Sequence, residues 1–345
     1  MPVTIKDIAK AAGVSHTTVS RALNSNPAIS PETTERVQQL ARQMGYVPSA
    51  VAQSLLSRRT QTIGMVVTTI ADPFIVKVVE GAEQIARAAG YSIFLTTSHN
   101  KPEHEMAVVE TFQRRRVDAI IVTSSRVGSL YSSQLDQIRV PIVLINNQEE
   151  GEFLHSVTVD DLQGAQLAVA HLLALGHRRI GYIGAADRPK SNGRRLAGYL
   201  AALKQAGVTP DPTLMISPAA TDDLERGRAG LEILWAAGAT AAFCYNDLIA
   251  IGLLLASRQR DISVPAMMSV VGFDDIEPAL YTNPPLTTVH QPRLELGQLA
   301  MTMTLDLLNG QEAQDRILSC ELVVRESTSQ QISESAKGEY PITLR

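Results

Sequence analysis

The feature that most constrains this chain is the pattern of residues 4–23, which read TIKDIAKAAGVSHTTVSRAL. Thr4 and Asp7 have the spacing of a helix capping box, and the apolar residues that follow recur at i, i+3, i+4 and i+7. Gly13 stands where a left-handed residue ends a helix, and Ser15 is suited to cap the next one. Two short helices joined by a tight turn are therefore predicted. An ordinary helical hairpin is the alternative.

The predicted second helix combines an apolar inner side with an outer side that can form hydrogen bonds. Val19 and Leu23 face inward in this pattern, and the outer side carries His16, Thr17, Ser20 and Arg21. A helix with such an outer side is the one that a helix-turn-helix places in the major groove of DNA.

Charge is unevenly distributed along the chain. Residues 1–60 contain seven Lys or Arg against three Asp or Glu, a net charge of +4 within a whole-chain charge of −4. A basic beginning on an acidic body indicates a polyanionic partner bound at that end.

A third helix is predicted after a polar loop, with Ser30 as its cap and Pro31 in its first position. Beyond it, residues 50–57 have the pattern of a further short helix. A helix of this length is marginal in water unless a partner stabilises it, and Arg58 and Arg59 make an anionic partner suitable. A linker with incidental helix propensity is the alternative interpretation.

From Thr62 onward, short apolar runs alternate with amphipathic stretches. Runs such as Ile142–Ile145 and Ile180–Ile183 are typical of strands buried on both faces. The alternation predicts parallel sheets covered by helices, and the number of runs exceeds one open sheet. Two similar α/β lobes are therefore expected.

Composition excludes several classes of protein. Hydrophobic residues make up 45% and charged residues 19% of the 345 residues, as in an ordinary globular protein. No apolar run approaches the about 20 residues that span a bilayer, and the beginning of the chain lacks an apolar signal core. We therefore expect a cytoplasmic protein without a membrane partner. Cys244 and Cys320 lack metal-ligand spacing and are expected to be free thiols; no metal or cofactor is predicted.

Seven segments taken together resemble the LacI/GalR family of transcriptional regulators. The opening TIKDIAKAAGVSHTTVSRALN and the following ISPETTERVQQLARQMGYVPSAVAQSL are joined in register by ADPF, RRLAGYLAALKQAG, CYNDLIAIG, SVVGFDD and LTTVHQP. The resemblance covers residues 3–328. It implies an all-α helix-turn-helix head, a hinge helix, and a two-lobed core like that of periplasmic binding proteins.

The resemblance also implies where these parts begin and end. The head occupies residues 1–46, the hinge helix and linker 47–60, the core 61–328 and a polar tail 329–345. Because the core chain of this family crosses between its lobes three times, lobe one is expected at 61–159 and 291–319. Lobe two is then expected at 160–290 and 320–328.

The family's DNA-reading positions carry over to this sequence residue by residue. His16 and Thr17 match base readers and Arg21 a common third, since arginine can pair bidentately with guanine. Residues suited to phosphate contacts are Ser15, Thr18, Ser20 and Asn24. In the hinge, Leu55 matches the leucine that wedges between base pairs in the minor groove, and Leu56 takes its place if the register slips by one.

The effector site is expected between the lobes, at the carboxyl ends of strands. The residues that match the family's site, or stand where it is expected, are Asp72, Phe74, Asn146, Arg195, Asp222, Asn246, Asp274 and Gln291, with Ser124 a weaker candidate. Asp72 could instead cap a helix, and Asp274 with Asp275 could form a surface turn. Asp222 stands where the lactose and purine repressors have an aromatic ring, which favours a hydroxyl-rich or cationic ligand over a flat nucleobase.

The combined pattern favours a DNA-binding regulator, most simply a repressor controlled by a sugar or sugar derivative. A nucleoside or nucleobase co-repressor and an α/β enzyme with a helical DNA-binding appendage are the alternatives. Against an enzyme, the sequence contains no GxxxxGK[ST], GxGxxG, GxSxG or HExxH motif, and no catalytic residues are predicted. The tail lacks leucine heptads, so we expect a homodimer on a pseudo-palindromic operator.

Overall fold

The computed structural model describes residues 3–47, 59–127, 140–148 and 155–331. The chain divides into two compact units, residues 1–60 and residues 61–345. The predicted hinge helix with Leu55 and Leu56, and residues 332–345 of the predicted tail, lie outside the described residues.

The first unit is a bundle of three helices, α1 (Ile5–Ala12), α2 (His16–Leu23) and α3 (Pro31–Gln43). The predicted capping box between Thr4 and Asp7 is present, and Gly13 ends α1 with a φ of 66°. Ser15 caps α2 by accepting a hydrogen bond from the backbone of Thr18. The three helices share a small core in which Ile8, Val19, Ala22 and Val37 are buried. The predicted helix-turn-helix is confirmed.

The second unit contains two six-stranded sheets, whose strand orders are β11-β5-β4-β3-β1-β2 and β12-β10-β9-β8-β6-β7. In the first sheet the strands are β1 (Thr62–Val67), β2 (Ser92–Thr97), β3 (Ala119–Thr123), β4 (Ile142–Ile145), β5 (Ser156–Val159) and β11 (Arg316–Leu318). In the second they are β6 (Ile180–Ile183), β7 (Met215–Ile216), β8 (Ala241–Cys244), β9 (Ser269–Asp274), β10 (Thr287–His290) and β12 (Glu321–Val323). Neighbouring strands are parallel, except that β12 runs antiparallel to β10.

Helices cover both sheets. The first sheet packs with α4 (Pro73–Ala88), α5 (Pro102–Arg114) and α10 (Arg293–Leu308), and we call this assembly lobe one. The second packs with α6 (Asp161–Ala174), α7 (Pro189–Gln205), α8 (Asp223–Ala236) and α9 (Asp247–Gln259), and we call it lobe two. Short 3-10 turns lie at Pro212–Leu214 and Glu277–Leu280. The expected fold class, a helical head and a two-lobed α/β core with parallel sheets, is confirmed.

The chain passes between the two sheets three times. It leaves lobe one after β5, returns to it after β10 and leaves it again after β11, because β11 pairs with β5 whereas β12 pairs with β10. Order continues beyond residue 328: the backbone N–H of Gln331 donates a hydrogen bond to the carbonyl of Leu175. Cys244 and Cys320 are free and buried. Among the described residues, no helix is long and apolar enough to cross a membrane.

Candidate DNA-binding surface and effector cleft

The outer side of α2 presents the side chains that were predicted to read bases. His16, Thr17 and Arg21 are exposed, whereas Val19 and Ala22 on the opposite side are fully buried. This division follows from helical periodicity, since residues three or four apart share a face. The exposed trio can therefore approach a duplex without disturbing the core of the head.

The residues predicted to contact phosphates are partly engaged in local hydrogen bonds. The hydroxyl of Ser15 accepts from the backbone N–H of Thr18 at 3.1 Å and lies 2.9 Å from the Thr18 hydroxyl. Asn24 donates from its amide to the carbonyl of Ser20 at 2.8 Å. Ser20 is half-buried on the same helix. Ser15 and Asn24 thus define the two ends of α2 as well as presenting polar atoms there.

A polar cleft lies between the two lobes where the strands of both sheets end. Its walls are formed by Asp72, Phe74, Ser124, Asn146, Gln148, Asp161, Arg188, Ser191, Arg195, Tyr245, Asn246, Asp274 and Gln291. Seven of the eight predicted effector residues are therefore brought together, and Asp222 is the exception. The remaining space is about 50 Å³, well below the about 300 Å³ at the lower end of ligand pockets. The lobes are closed on each other.

Arg195 is the central cation of the cleft and is held on every side. Its Nε donates to Asp161 Oδ1 at 2.8 Å and its Nη1 donates to the Tyr245 carbonyl. The guanidinium carbon lies 3.7 Å from the centre of the Phe273 ring and 4.3 Å from that of Tyr245. Burial is the largest single effect and opposes the charge, but Asp161, Tyr245 and Asp274 together outweigh it, so the pKa of Arg195 is raised. Arg195 is a fixed positive charge that packing holds in one orientation.

Asp274 ends β9 and faces the same cleft. Its Oδ1 accepts a hydrogen bond from Gln291 Nε2 at 2.6 Å and lies 3.8 Å from Nη1 of Arg195. Because the carboxyl is buried, its pKa is raised to about 7. Burial also raises the pKa of Asp72 on the opposite lobe and that of Asp247 behind the cleft. Asp274 is therefore a cleft carboxyl group whose pKa lies close to neutral pH.

Asp72 has two roles in the structure. Its Oδ1 accepts from the backbone N–H of Phe74 at 2.9 Å, so that it caps α4, and its side chain also lines the cleft. Asp72 therefore caps a helix and also lies in the cleft, as the two interpretations of the sequence proposed separately. Phe74, the second residue of α4, presents its ring beside it.

Two amide oxygens in the cleft have no hydrogen-bond partner among the residues that the structure describes. Oδ1 of Asn146 and Oε1 of Gln291 are buried and accept no hydrogen bond from any described residue. A buried acceptor without a donor costs about 1–3 kcal/mol, so unpaired acceptors in a cleft indicate that a ligand supplies the donors. Both atoms require N–H or O–H groups on that ligand.

The acidic residue that joins the cleft network from the start of α8 is Asp223, not the predicted Asp222. Asp222 is exposed and caps α8 by accepting from the Glu225 backbone at 2.9 Å. Asp223 Oδ2 instead accepts from Arg188 at 2.8 Å and from Asn246 at 2.7 Å. Because a capping side chain turns toward its own helix end, the next residue is the one that points into the protein.

Gln148, Ser191 and Tyr245 form a chain of hydrogen bonds that sequence reasoning missed. Gln148 Oε1 accepts from Ser191 Oγ at 2.9 Å, and Ser191 Oγ lies 2.7 Å from the Tyr245 hydroxyl. Gln148 belongs to lobe one and the other two to lobe two. Their position just after β4, at the start of α7 and just after β8 was the available signal, because parallel strands end at the cleft.

Comparisons with known proteins agree with this architecture. Residues 4–49 match the family described as bacterial regulatory proteins, lacI family, and residues 169–328 match a periplasmic binding protein-like domain. The transcriptional repressor CytR of Escherichia coli strain K12 is 32% identical over 94% of this chain and 96% of its own length. The regulator GalS of Salmonella typhimurium is 35% identical over 88% of this chain and 89% of its own.

Solved structures show the same similarity. The lac repressor dimer bound to operator and the anti-inducer ONPF aligns with a TM-score of 0.85 at 27% identity, covering 95% of this chain and all of that chain. The regulator CelR in complex with cellobiose aligns with a TM-score of 0.72 at 29% identity, covering 94% and 99%. The head, the cleft and these relatives together define a DNA-binding transcriptional regulator with an effector-binding core. The chain belongs to the LacI family.

Proposed function

We propose that this regulator is a repressor whose affinity for its operator is set by a hydroxyl-rich small molecule, a sugar or sugar derivative, bound between the two lobes. The observation that carries the proposal is a pair of buried acceptors, Asn146 Oδ1 and Gln291 Oε1, that accept no hydrogen bond within the described part of the chain. Neutral sugars supply hydroxyl donors to such acceptors and take hydrogen bonds from cations in return. The regulatory relatives favour this role over catalysis.

Related structures support the ligand class. Solved structures of similar LacI-type regulators are complexes with cellobiose, ribose and D-xylulofuranose. In this chain the proposed ligand contacts are Asp72, Phe74, Asn146, Asn246, Asp274 and Gln291. Arg195 would orient the carboxyl groups of Asp161 and Asp274 beside them. The space of about 50 Å³ beside these contacts is too small for a monosaccharide ring, so we propose that the lobes separate when the ligand enters. That motion provides the link to DNA.

At the other end of the chain, we propose that His16, Thr17 and Arg21 read bases, that Ser15, Thr18, Ser20 and Asn24 contact phosphates, and that Leu55 wedges into the minor groove. A homodimer on a pseudo-palindromic operator would present two such heads. The protein would then act in the cytoplasm, where the DNA is.

A nucleoside or nucleobase is the second candidate effector. The Phe74 ring at the cleft offers one flat platform for a base, and the purine repressor PurR of Proteus mirabilis is 34% identical over 88% of this chain. The acceptor-rich walls favour the sugar, since a stacked base needs fewer hydroxyl partners.

The deciding experiment is a thermal-shift screen of the full chain against sugars, sugar phosphates and nucleosides, followed by calorimetry of the compounds that raise Tm. We expect a sugar to bind and to change the affinity for operator DNA. Calorimetry showing tight nucleobase binding with no sugar binding would replace the first candidate by the second. The variant N146L replaces the amide by an apolar side chain of similar size and so removes the Asn146 acceptor. It is expected to weaken sugar binding.

A further inference from the structure

Outside the cleft, the most strongly charged feature of the core is a run of three arginines where α5 ends. Arg114, Arg115 and Arg116 are consecutive and exposed. Arg87, close to the end of α4, is also exposed. We call these four residues the basic edge.

The basic edge lies at the end of lobe one that faces away from the cleft. The carboxyl ends of β1 and β4 face the cleft through Asp72 and Asn146, so the amino ends of these parallel strands lie at the opposite end. Helices that run antiparallel to their strands end there too. Arg114–Arg116 and Arg87 occupy these helix ends and the turn that follows α5.

This same end is where the core receives the chain from the DNA-binding head. The backbone N–H of Gln61 donates to Asp118 Oδ2 at 2.8 Å, and the N–H of Asp118 donates to the carbonyl of Thr62 at 2.8 Å. Arg116 precedes Asp118 by two residues. The basic edge therefore lies beside the first residues of the core.

Net positive charge lies on one half of this end of the sheet, because the cation of the other half, Arg316 at the start of β11, stands among three acids. The half formed by β1, β2 and β3 has the four arginines, with Glu83 and Asp118 as its nearby acids. At the β5–β11 side, the corresponding positions carry Asp306, Glu312 and Asp315, and Asp315 accepts from the backbone of Ser156 at 2.7 Å. The arginines thus cluster on the half of the sheet where the core begins at Gln61.

The helix dipole does not account for the whole run. A cation in the last turn of a helix interacts favourably with the helix dipole, and this explains Arg114. Arg115 follows the helix as its C-cap, and Arg116 has a φ of 57° in the turn beyond it. A single cation would satisfy the helix end, whereas three spread positive charge over the surface.

We propose that the basic edge binds phosphate groups of DNA that flank the sequence read by the head. Exposed arginines are suited to phosphate oxygens because the guanidinium group offers a planar fork of donors. Residues 47–60 tether the edge to the DNA-bound head, which raises the local concentration of phosphates around it. The contact carries no sequence information, so it adds affinity and salt dependence but no base preference.

The test compares the full-length wild type with R114Q/R115Q by fluorescence anisotropy. The probes are an operator duplex recovered by selection from random DNA, with about ten flanking base pairs on each side, and a scrambled duplex of the same length. Counterion release predicts a slope of log Kobs against log salt that is shallower by about 0.9 for each lost phosphate contact. We expect a slope reduced by about 2 per chain, with operator and scrambled DNA weakened by the same factor.

The matched control is R258Q/R260Q, which removes the same charge from the end of α9, at the far end of lobe two. R258Q/R260Q is expected to keep the wild-type slope. R114K/R115K, which preserves the charge, is expected to keep most of the wild-type slope. An unchanged slope in R114Q/R115Q with wild-type Tm overturns the proposal. An equal loss in the R258Q/R260Q control also overturns it, since the effect would then reflect total charge and not the basic edge.

Discussion

Gln148 of lobe one and Ser191 of lobe two share a hydrogen bond of 2.9 Å that closes the effector cleft. Gln148 lies just beyond β4, and its amide also donates to the Asn146 carbonyl at 2.8 Å, which fixes its orientation. Ser191 stands in the first turn of α7, where its backbone N–H approaches the same Gln148 oxygen at 3.3 Å. One side chain thus bridges the two lobes.

Loss of this bridge should destabilise the core. In Q148A the buried hydroxyl and N–H of Ser191 lose their acceptor, and we expect the free energy of unfolding to fall by about 1–2 kcal/mol. Urea denaturation of the full chain measures this change. The control is Q298A, because Gln298 pairs with Gln84 at 3.1 Å inside lobe one; its effect should stay within about 0.5 kcal/mol. Equal losses in the two variants would show that the hydrogen bond between the lobes adds no more stability than a hydrogen bond within lobe one.

Stability should depend on pH through Asp274. Because burial raises the pKa of Asp274 to about 7, the folded chain retains a proton that the unfolded chain releases near pH 4. The contribution of Asp274 is therefore complete below pH 4 and is lost as the pH rises toward 7. We expect D274N to flatten this dependence. The stability of D274N relative to the wild type should be greater at pH 8 than at pH 5, as measured by urea denaturation at both values.

The neighbouring residue provides a control of opposite sign. Asp275 is partly buried, but hydrogen bonds from His290 and Arg325 outweigh burial and lower its pKa. Its contribution is present above pH 4 and lost as the pH falls below that. D275N should therefore lose stability at pH 7 and approach the wild type in acid. If both variants shift in the same direction with pH, the assignment of the two environments is wrong.

Strands that are apolar throughout could be predicted directly from the sequence. β4 and β6 coincide with the predicted runs Ile142–Ile145 and Ile180–Ile183, because four consecutive apolar residues between polar ones fit a strand buried on both faces. β10 reads TTVH, and β11 and β12 have three residues each. These strands form because strands distant in sequence pair with them, so no local sequence pattern predicts them.

The cleft shows the same limit at the level of single residues. Helix α7 begins at Pro189, but its early residues KSNGR lack an apolar stripe from which this start could be predicted. Ser191 therefore remained outside the predicted site. Asp222 and Asp223 are equivalent to any rule based on composition, and only the cap that Asp222 forms decides that Asp223 faces inward. Capping geometry and helix start, not residue type, separate the two cases.

DNA recognition by the exposed side of α2 should depend on Arg21. We expect R21A to weaken binding to the selected operator by about 1–3 kcal/mol and to relax base preference at one position of each half-site. Gel-shift titration against operator and single-base variants measures both effects. Arg42 in the last turn of α3 offers a comparison, since R42A removes the same charge from another helix of the head. Unchanged operator affinity of R21A would reject the assignment of Arg21 as a base reader.

Close helix packing in lobe one should make Gly81 intolerant of any side chain. A Cβ at Gly81 of α4 would overlap the backbone carbonyl of Leu294 in α10, and one at Gly297 of α10 would overlap that of Val78. Because backbone atoms cannot move aside without separating the helices, we expect G81A to lower the free energy of unfolding by about 3 kcal/mol or more.

The matched substitution is G193A in α7, where a Cβ meets nothing within 4 Å. There the higher helix propensity of alanine should stabilise the chain by up to about 1 kcal/mol. The two variants make the same chemical change in helices of similar length, so urea denaturation isolates the effect of the close approach between α4 and α10. Loss of stability in both variants to the same extent would contradict this account, because it would mean that the cost arises from the helix backbone and not from the contact between helices.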